Sequence, residues 1–193
     1  MPIFTLGKII FAKKEIIDFI MNTGQITIYT DGACSGNPGK GGWAAILLYK
    51  GHRKDLSKGY RLTTNNRMEL MAVIEALKSI KNKDIPVVVY SDSQYVVDSI
   101  NKGYIYSWLN KNFKNVKNPD LWKELIYLIH SFKNIKFIWV KGHSTNALNN
   151  ECDAMAVNAY LSGDKGGTLN IDEYYENHIN EETDDTSNLF SDE

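Results

Sequence analysis

Four carboxylates stand at points where the pattern of the chain changes. Asp31 closes an alternating segment as Thr30-Asp31-Gly32, and Asp92 follows the apolar run Val87-Val88-Val89-Tyr90-Ser91. Glu69 lies between Met68 and Leu70 early in a helical stretch, and Asp153 follows Asn149-Asn150-Glu151-Cys152 at the start of another. Like charges gathered at one place repel, and a bound cation is what makes such a cluster tolerable. An all-oxygen ligand set suits hard divalent ions, magnesium or manganese, rather than zinc or copper. Four carboxylates fit a two-metal site, in which ions roughly 3.5–4 Å apart clamp the attacking and leaving oxygens of a phosphodiester. Each acid taken singly has a plainer reading: Asp31-Gly32 as a turn, Glu69 and Asp153 as favourable charges at helix starts, Asp92 as a helix cap. Their joint placement favours the metal site.

The elements that must bring them together can be read from periodicity. Residues 25–30 alternate apolar and polar, as a half-buried strand does, and the pattern stops at Asp31-Gly32. Strands are also expected over 43–49 and 54–61, joined by short Gly-containing connections that favour antiparallel hairpins. Met68, Met71, Ala72, Ile74 and Leu77 then recur at helical spacing, predicting a helix over 66–80 with Asn65 placed to cap it. Val87-Val88-Val89-Tyr90 reads as a strand buried on both faces. Helices follow over 93–101, 103–112 and from Pro119 to Phe132, then a strand over 135–140 and a last helix over 150–161. Three hairpin strands followed by strand–helix units imply an α/β fold. The expected sheet is mixed and five-stranded, three antiparallel strands then two parallel, with helices on both faces.

One domain is expected of 193 residues. No run approaches the ~20 apolar residues of a membrane helix. The most apolar N-terminal stretch is broken by Lys13, Lys14, Glu15 and Asp18, which also spoil a signal-peptide core. Two cysteines, Cys34 and Cys152, are too few for a disulfide framework or a zinc site, so a reducing cytoplasm is the simpler setting. The overall charge of −1 conceals an asymmetry. Residues 1–163 carry 21 basic against 13 acidic side chains, whereas 164–193 carry one lysine against ten acids. A basic body suits a polyanionic partner such as nucleic acid. Three parts are therefore expected: a leader over 1–24, in which Lys13 to Ile20 has the pattern of a short amphipathic helix; a body over 25–163; and an acidic, disordered tail over 164–193. Within that tail the apolar pair of Asn188-Leu189-Phe190 is a place where a protein partner could dock weakly.

Between Asp98 and Asp120 there is no acid, and Lys102, Lys111, Lys114 and Lys117 alternate with Tyr104, Tyr106, Trp108 and Phe113. Such interleaving supplies phosphate neutralisation and flat surfaces against sugars and bases. Gly39-Lys40-Gly41-Gly42 lacks the Gly-Lys-Ser/Thr ending of a phosphate loop.

Five segments together resemble the bacterial type 1 ribonuclease H family: Thr30 to Gly39, Thr63 to Leu70, Ser91 to Tyr95, Trp139 to His143 and Asn150 to Asp153. They follow the family's order and spacing, and the resemblance covers about residues 25–161. It implies a ribonuclease H-like fold and a monomer that cuts the RNA strand of RNA–DNA hybrids, such as R-loops and replication primers. By that likeness, two magnesium ions, with manganese as a possible substitute, are held by Asp31, Glu69, Asp92 and Asp153, and the products are 5′-phosphate and 3′-hydroxyl ends. His143 matches a histidine on a mobile loop that assists proton transfer or product release. Cys34, Gly36, Asn37, Asn65, Asn66 and Gln94 match the RNA-strand contacts, which must sense 2′-hydroxyls in the wide minor groove of an A-like duplex. Thr64 and Asn118 match a pocket for a DNA-strand phosphate, Trp108 matches a DNA-contacting tryptophan, and Lys111 and Lys114 fall in the family's basic protrusion.

Three departures qualify the likeness. Leu62 replaces an arginine common in the phosphate pocket, with Arg61 beside it, which points to a weaker pocket. The protrusion is shorter than in some relatives. The leader lacks the length and aromatic pattern of the hybrid-binding module that longer relatives carry.

Overall fold

The computed structural model describes residues 24–179. Strands β1 (Ile26–Gly36), β2 (Gly39–Tyr49) and β3 (His52–Thr63) are followed by α1 (Asn65–Lys78), β4 (Val87–Ser91), α2 (Gln94–Asn101), α3 (Tyr104–Asn110), α4 (Pro119–Ser131), β5 (Ile135–Trp139) and α5 (Ala147–Asp164). A short helix, α6, occupies 173–179. The five-stranded sheet has the order β3-β2-β1-β4-β5. β1 to β3 pair antiparallel, while β4 and β5 pair parallel to β1 and to each other. This is the mixed sheet the hairpin-then-crossover pattern predicts.

Alternation along the strands feeds two cores. Ile26, Ile28, Ala45, Leu47, Val87 and Val89 face α1, α2 and α4, where they meet Leu70, Val73, Leu77, Val97, Trp122 and Leu125. On the other face Tyr29, Ala33, Ala44, Ile46 and Leu48 pack against Leu148, Cys152 and Ala156 of α5. Helices thus cover both faces, and β1 is buried on both rather than half-buried as its alternation suggests. Thr27 and Tyr29, the polar positions of that pattern, are both buried on α5's side of the sheet.

Four expectations change in ways that matter to the site. β1 does not stop at Asp31 but continues to Gly36, with Asp31 paired to Ala44 of β2, so the acid sits within a strand. The residue at the start of α1 is Thr64 rather than Asn65, with its carbonyl accepting from Met68 N–H at 3.1 Å. Glu69 is consequently in the second turn. α5 begins at Ala147, capped by the side chain of Asn146 on Asn149 N–H, which places Asp153 in the second turn too. Helix-end charge compensation therefore explains neither acid.

The acidic tail also departs from expectation where it is described. Asn170 bridges to Tyr60 at the edge of β3, Asp172 is 3% exposed, and Tyr175 is buried. A buried ion pair from Asp172 to Arg67 and an exposed one from Glu176 to Arg61, absent from any composition argument, tie this part to the body. The short leader helix and Asn188-Leu189-Phe190 lie outside the described residues. Among the described residues no helix is long and apolar enough to cross a membrane.

Candidate active site

Asp31 enters the site from the middle of β1, Glu69 from α1 lying across it, and Asp92 from the residue after β4. Because β4 runs parallel beside β1, with Thr30 opposite Ser91, the two aspartates emerge from neighbouring strands at one level. Gly32 lets α1 approach: a Cβ there would collide with the backbone nitrogen of Glu69. One oxygen from each of Asp31, Glu69 and Asp92 lies within 4.8 Å of the others. Asp153 faces the same cleft from α5 but stands outside this tight trio.

The electrostatics are those of a site built for a cation. Burial, then the charges of Asp92 and Asp153, push the Asp31 carboxyl up to about 8 despite a hydrogen bond from the Gly32 backbone. Burial, then the charge of Asp31, also raise Glu69 well above the usual carboxylate range. Oε2 of Glu69 is buried with no hydrogen-bond partner among the described residues. A buried carboxylate oxygen without a donor is costly unless something positive meets it. The donor set is carboxylate only, so the residues fit a hard divalent cation rather than a soft one.

Asp92 is held from several sides. Asn149 Nδ2 donates to its Oδ2 at 3.1 Å, and Trp139 Nε1 donates to its backbone carbonyl at 3.0 Å. A Cβ on Gly142 would collide with the same Oδ2. Ser93 begins α2, its hydroxyl accepting from Val96 N–H at 3.4 Å. Asn149 is 1% exposed, and the sequence reading gave it no role. Its spacing of four from Asp153, one helical turn on the same face of α5, was the signal available.

His143 lies on the loop before α5 with φ of 48° and a side chain 83% exposed. Its Nδ1 is 3.9 Å from Asp153 Oδ2, too far for a hydrogen bond but poised at the cleft mouth.

The cleft, about 530 Å³, is lined by all four acids and His143, and also by Cys34, Asn65, Asn66 and Gln94. Gly36 and Asn37 fall at the exposed β1–β2 turn just outside it. Asn37 Oδ1 accepts the Asn65 N–H at 3.1 Å, tying that turn to the start of α1. Six residues from three segments are thereby gathered beside the carboxylates.

Tyr95 also lines the cleft, and its hydroxyl accepts from Trp122 Nε1 at 2.8 Å and from Asn118 Nδ2 at 3.2 Å. Trp108 is half-buried with its ring centroid 5.0 Å from that of Trp122, so it is partly a core residue. Lys111 and Lys114 are exposed beyond it, and Thr64 stands at the start of α1. Arg61 does not stand in for the arginine that Leu62 replaces: it pairs with Glu176 of α6 at 2.6 Å, on the side of β3 away from Leu62.

A family model described as RNase H matches residues 23–160. A ribonuclease H of Desulforamulus reducens is 54% identical over 143 residues, covering 72% of this chain and 89% of that protein. A ribonuclease H of Rippkaea orientalis is 48% identical over 158 residues, covering 79% and 93%. Among solved structures, LC9-RNase H1, described as a type 1 RNase H with the type 2 active-site motif, aligns with a TM-score of 0.65 at 30% identity, covering 72% of this chain and 74% of that one. LC11-RNase H1 in complex with RNA/DNA hybrid aligns at 0.55 and 26% identity, covering 72% and 99%.

Proposed function

The chain belongs to the ribonuclease H family, and from that premise we propose a divalent-metal-dependent endonuclease that hydrolyses the RNA strand of RNA–DNA hybrids, leaving 5′-phosphate and 3′-hydroxyl ends. The observation that carries this reading is the convergence of Asp31, Glu69 and Asp92 within 4.8 Å, in one cleft with Asn65, Asn66 and Gln94.

Asp31, Glu69, Asp92 and Asp153 are the residues that would hold two magnesium ions, or manganese in their place. When bound, the cations supply Lewis acidity to the attacking water and to the departing 3′-oxygen. The chain's own part is positioning. Asp31 and Glu69 come from elements packed against each other by Gly32, so their oxygens are fixed before substrate arrives. Asn149 and Trp139 hold Asp92 in one orientation. His143, exposed at the cleft mouth, is placed to move a proton to the leaving 3′-oxygen.

Strand choice rests on the amides. Asn65, Asn66 and Gln94, with the backbone around Cys34, Gly36 and Asn37, can both donate to and accept from 2′-hydroxyls that only the RNA strand has. Thr64 and Asn118 then take a DNA-strand phosphate, Trp108 packs against a deoxyribose, and Lys111 and Lys114 neutralise phosphates further along. Hybrids such as R-loops and replication primers fit this division, and the enzyme works as a monomer in the cytoplasm.

The test is cleavage of matched hybrid, double-stranded RNA, single-stranded RNA and DNA with magnesium present. Cutting of the RNA in hybrid alone is expected, and equal cutting of double-stranded RNA would sink the strand assignment. Asp31→Asn should lower turnover by at least roughly a hundredfold, the scale of removing one electrostatic stabiliser. Hybrid binding should persist in that variant, and retained turnover would refute the metal assignment.

A further inference from the structure

The described part of the C-terminal segment carries a charged residue buried as deeply as the core. Asp172 accepts from Arg67 through both oxygens, Nε to Oδ2 at 2.7 Å and Nη2 to Oδ1 at 2.9 Å. The Thr63 hydroxyl donates to Oδ2 at 2.7 Å, and Tyr175 N–H lies 3.4 Å from Oδ1 at the start of α6. Arg67 is 1% exposed, and its other edge grips Asp120, Nη1 to Oδ1 at 3.0 Å and Nη2 to Oδ2 at 2.7 Å. The rings of Tyr174 and Tyr175 lie beside the guanidinium, with centroids 5.2 and 5.8 Å from its carbon.

A guanidinium is planar and only donates. Two carboxylates on two of its edges therefore fix both its position and its plane. Its Nη1 also reaches Asn118 Oδ1 at 3.4 Å. That contact decides which way the Asn118 amide faces: the oxygen must meet Arg67, so the nitrogen must face Tyr95, where it donates to the hydroxyl at 3.2 Å. One amide hydrogen is committed there, and among the described residues the second makes no hydrogen bond. Asp120 lies two residues from Asn118 in the same turn and moves with it. Asp172 is the anchor that holds Arg67 against this turn from elsewhere in the chain.

We propose that Asp172 is a positioning residue for the DNA-strand grip: acting through Arg67, it fixes the Asn118 amide so that an N–H is presented to a DNA-strand phosphate. This rests on the reading of Asn118 as a DNA contact given above. Through Asp172, the described part of the C-terminal segment is thus part of the substrate-binding apparatus.

The experiment is a double-mutant cycle on the full chain with magnesium and hybrid substrate, comparing wild type, Asp172→Asn, Asn118→Ala and the double variant. Each single change should raise KM roughly three- to tenfold, the effect of one hydrogen bond, with kcat within about twofold. The double variant should be no worse than Asn118→Ala alone. In the absence of hybrid, the Asn118 side-chain amide resonances of Asp172→Asn should shift. A raised KM in Asn118→Ala with an unchanged KM in Asp172→Asn overturns the positioning role alone, as does multiplication of the two effects in the double variant. An unchanged KM in Asn118→Ala overturns the grip itself and the positioning with it. If Asp172→Asn does not fold, Thr63→Val carries the test, because it removes one bond to Asp172 and keeps the ion pair. A shifted Asn118 amide and about a twofold rise in KM support the proposal there, and an unmoved amide overturns it.

Discussion

Asp31 is 4% exposed and surrounded by other acids, so its proton is held up to about pH 8 in the cation-free protein. An unfolded chain releases the same proton near pH 4. Between those limits the folded state binds more protons than the unfolded state. Stability without cation should therefore fall as pH rises from about 4 to about 8. Magnesium replaces the proton and should flatten that fall, raising Tm most at the alkaline end. Thermal melts in chelator and in magnesium across this range read the effect, and a Tm in chelator that climbs steadily to pH 8 would contradict it. The same competition predicts that more magnesium is needed for half-maximal activity at lower pH. At this scale the four acids and His143 could be picked out as residue types in the sequence. Asn149 could not, because nothing about an asparagine in Asn149-Asn150-Glu151 says that its amide will meet Asp92 across 57 residues.

At the scale of elements, the site depends on how closely backbones approach. The loop from β5 to α5 passes so near Asp92 that Gly142 has no room for a side chain. Gly142→Ala should displace either the loop or the Asp92 carboxylate and lower turnover by at least roughly tenfold, the cost of about an ångström of misplacement or more. The half-exposed loop can yield, so Tm should change by only a few degrees; hydrogen exchange at 140–146 alongside kinetics separates the two. A turnover equal to wild type would show that the loop tolerates the shift. Periodicity placed β4, α1, α2 and α4 within a residue or two, because each has a long apolar face. It shortened β1, β2 and α5. β1 carries Asp31, Gly32 and Ser35 inside a strand, where local propensity favours a turn, and tertiary pairing with β2 and β4 overrides it. α5 begins three residues earlier than its apolar stripe, at the Asn146 cap.

Across the whole molecule, charge is distributed for a polyanion. Basic side chains exceed acidic ones in residues 1–163, and the acid-free stretch around α3 presents Lys111 and Lys114 at the surface. Hybrid affinity should fall steeply with salt. Replacing Lys111 and Lys114 together by Ala should lower the slope of log Kd against log salt by about 1–2, with kcat at saturating hybrid kept. An unchanged slope would remove these lysines from the interface. The described part of the acidic C-terminal segment, up to residue 179, packs on the body rather than standing off it as a solvated tail. Asp172 and Glu176 meet Arg67 and Arg61 of the body, and breaking the buried Arg67–Asp172 pair by Asp172→Ala should cost about 3–5 kcal/mol in denaturant melts. A loss below about 1 kcal/mol would mark the pair as dispensable.

The sequence by itself determined the family, the order of the elements and the carboxylate types of the site. Those follow from local features: motif spacing, apolar period and the hardness of oxygen ligands. Tertiary structure alone decided that Asp153 stands outside the trio, that Asn149, Trp139 and Gly142 hold Asp92, that Arg61 turns away from the Leu62 pocket and that Asp172 is buried. Each of these depends on contacts between residues far apart in the chain, and the burial that gives such contacts their strength exists only once the sheet and helices have packed.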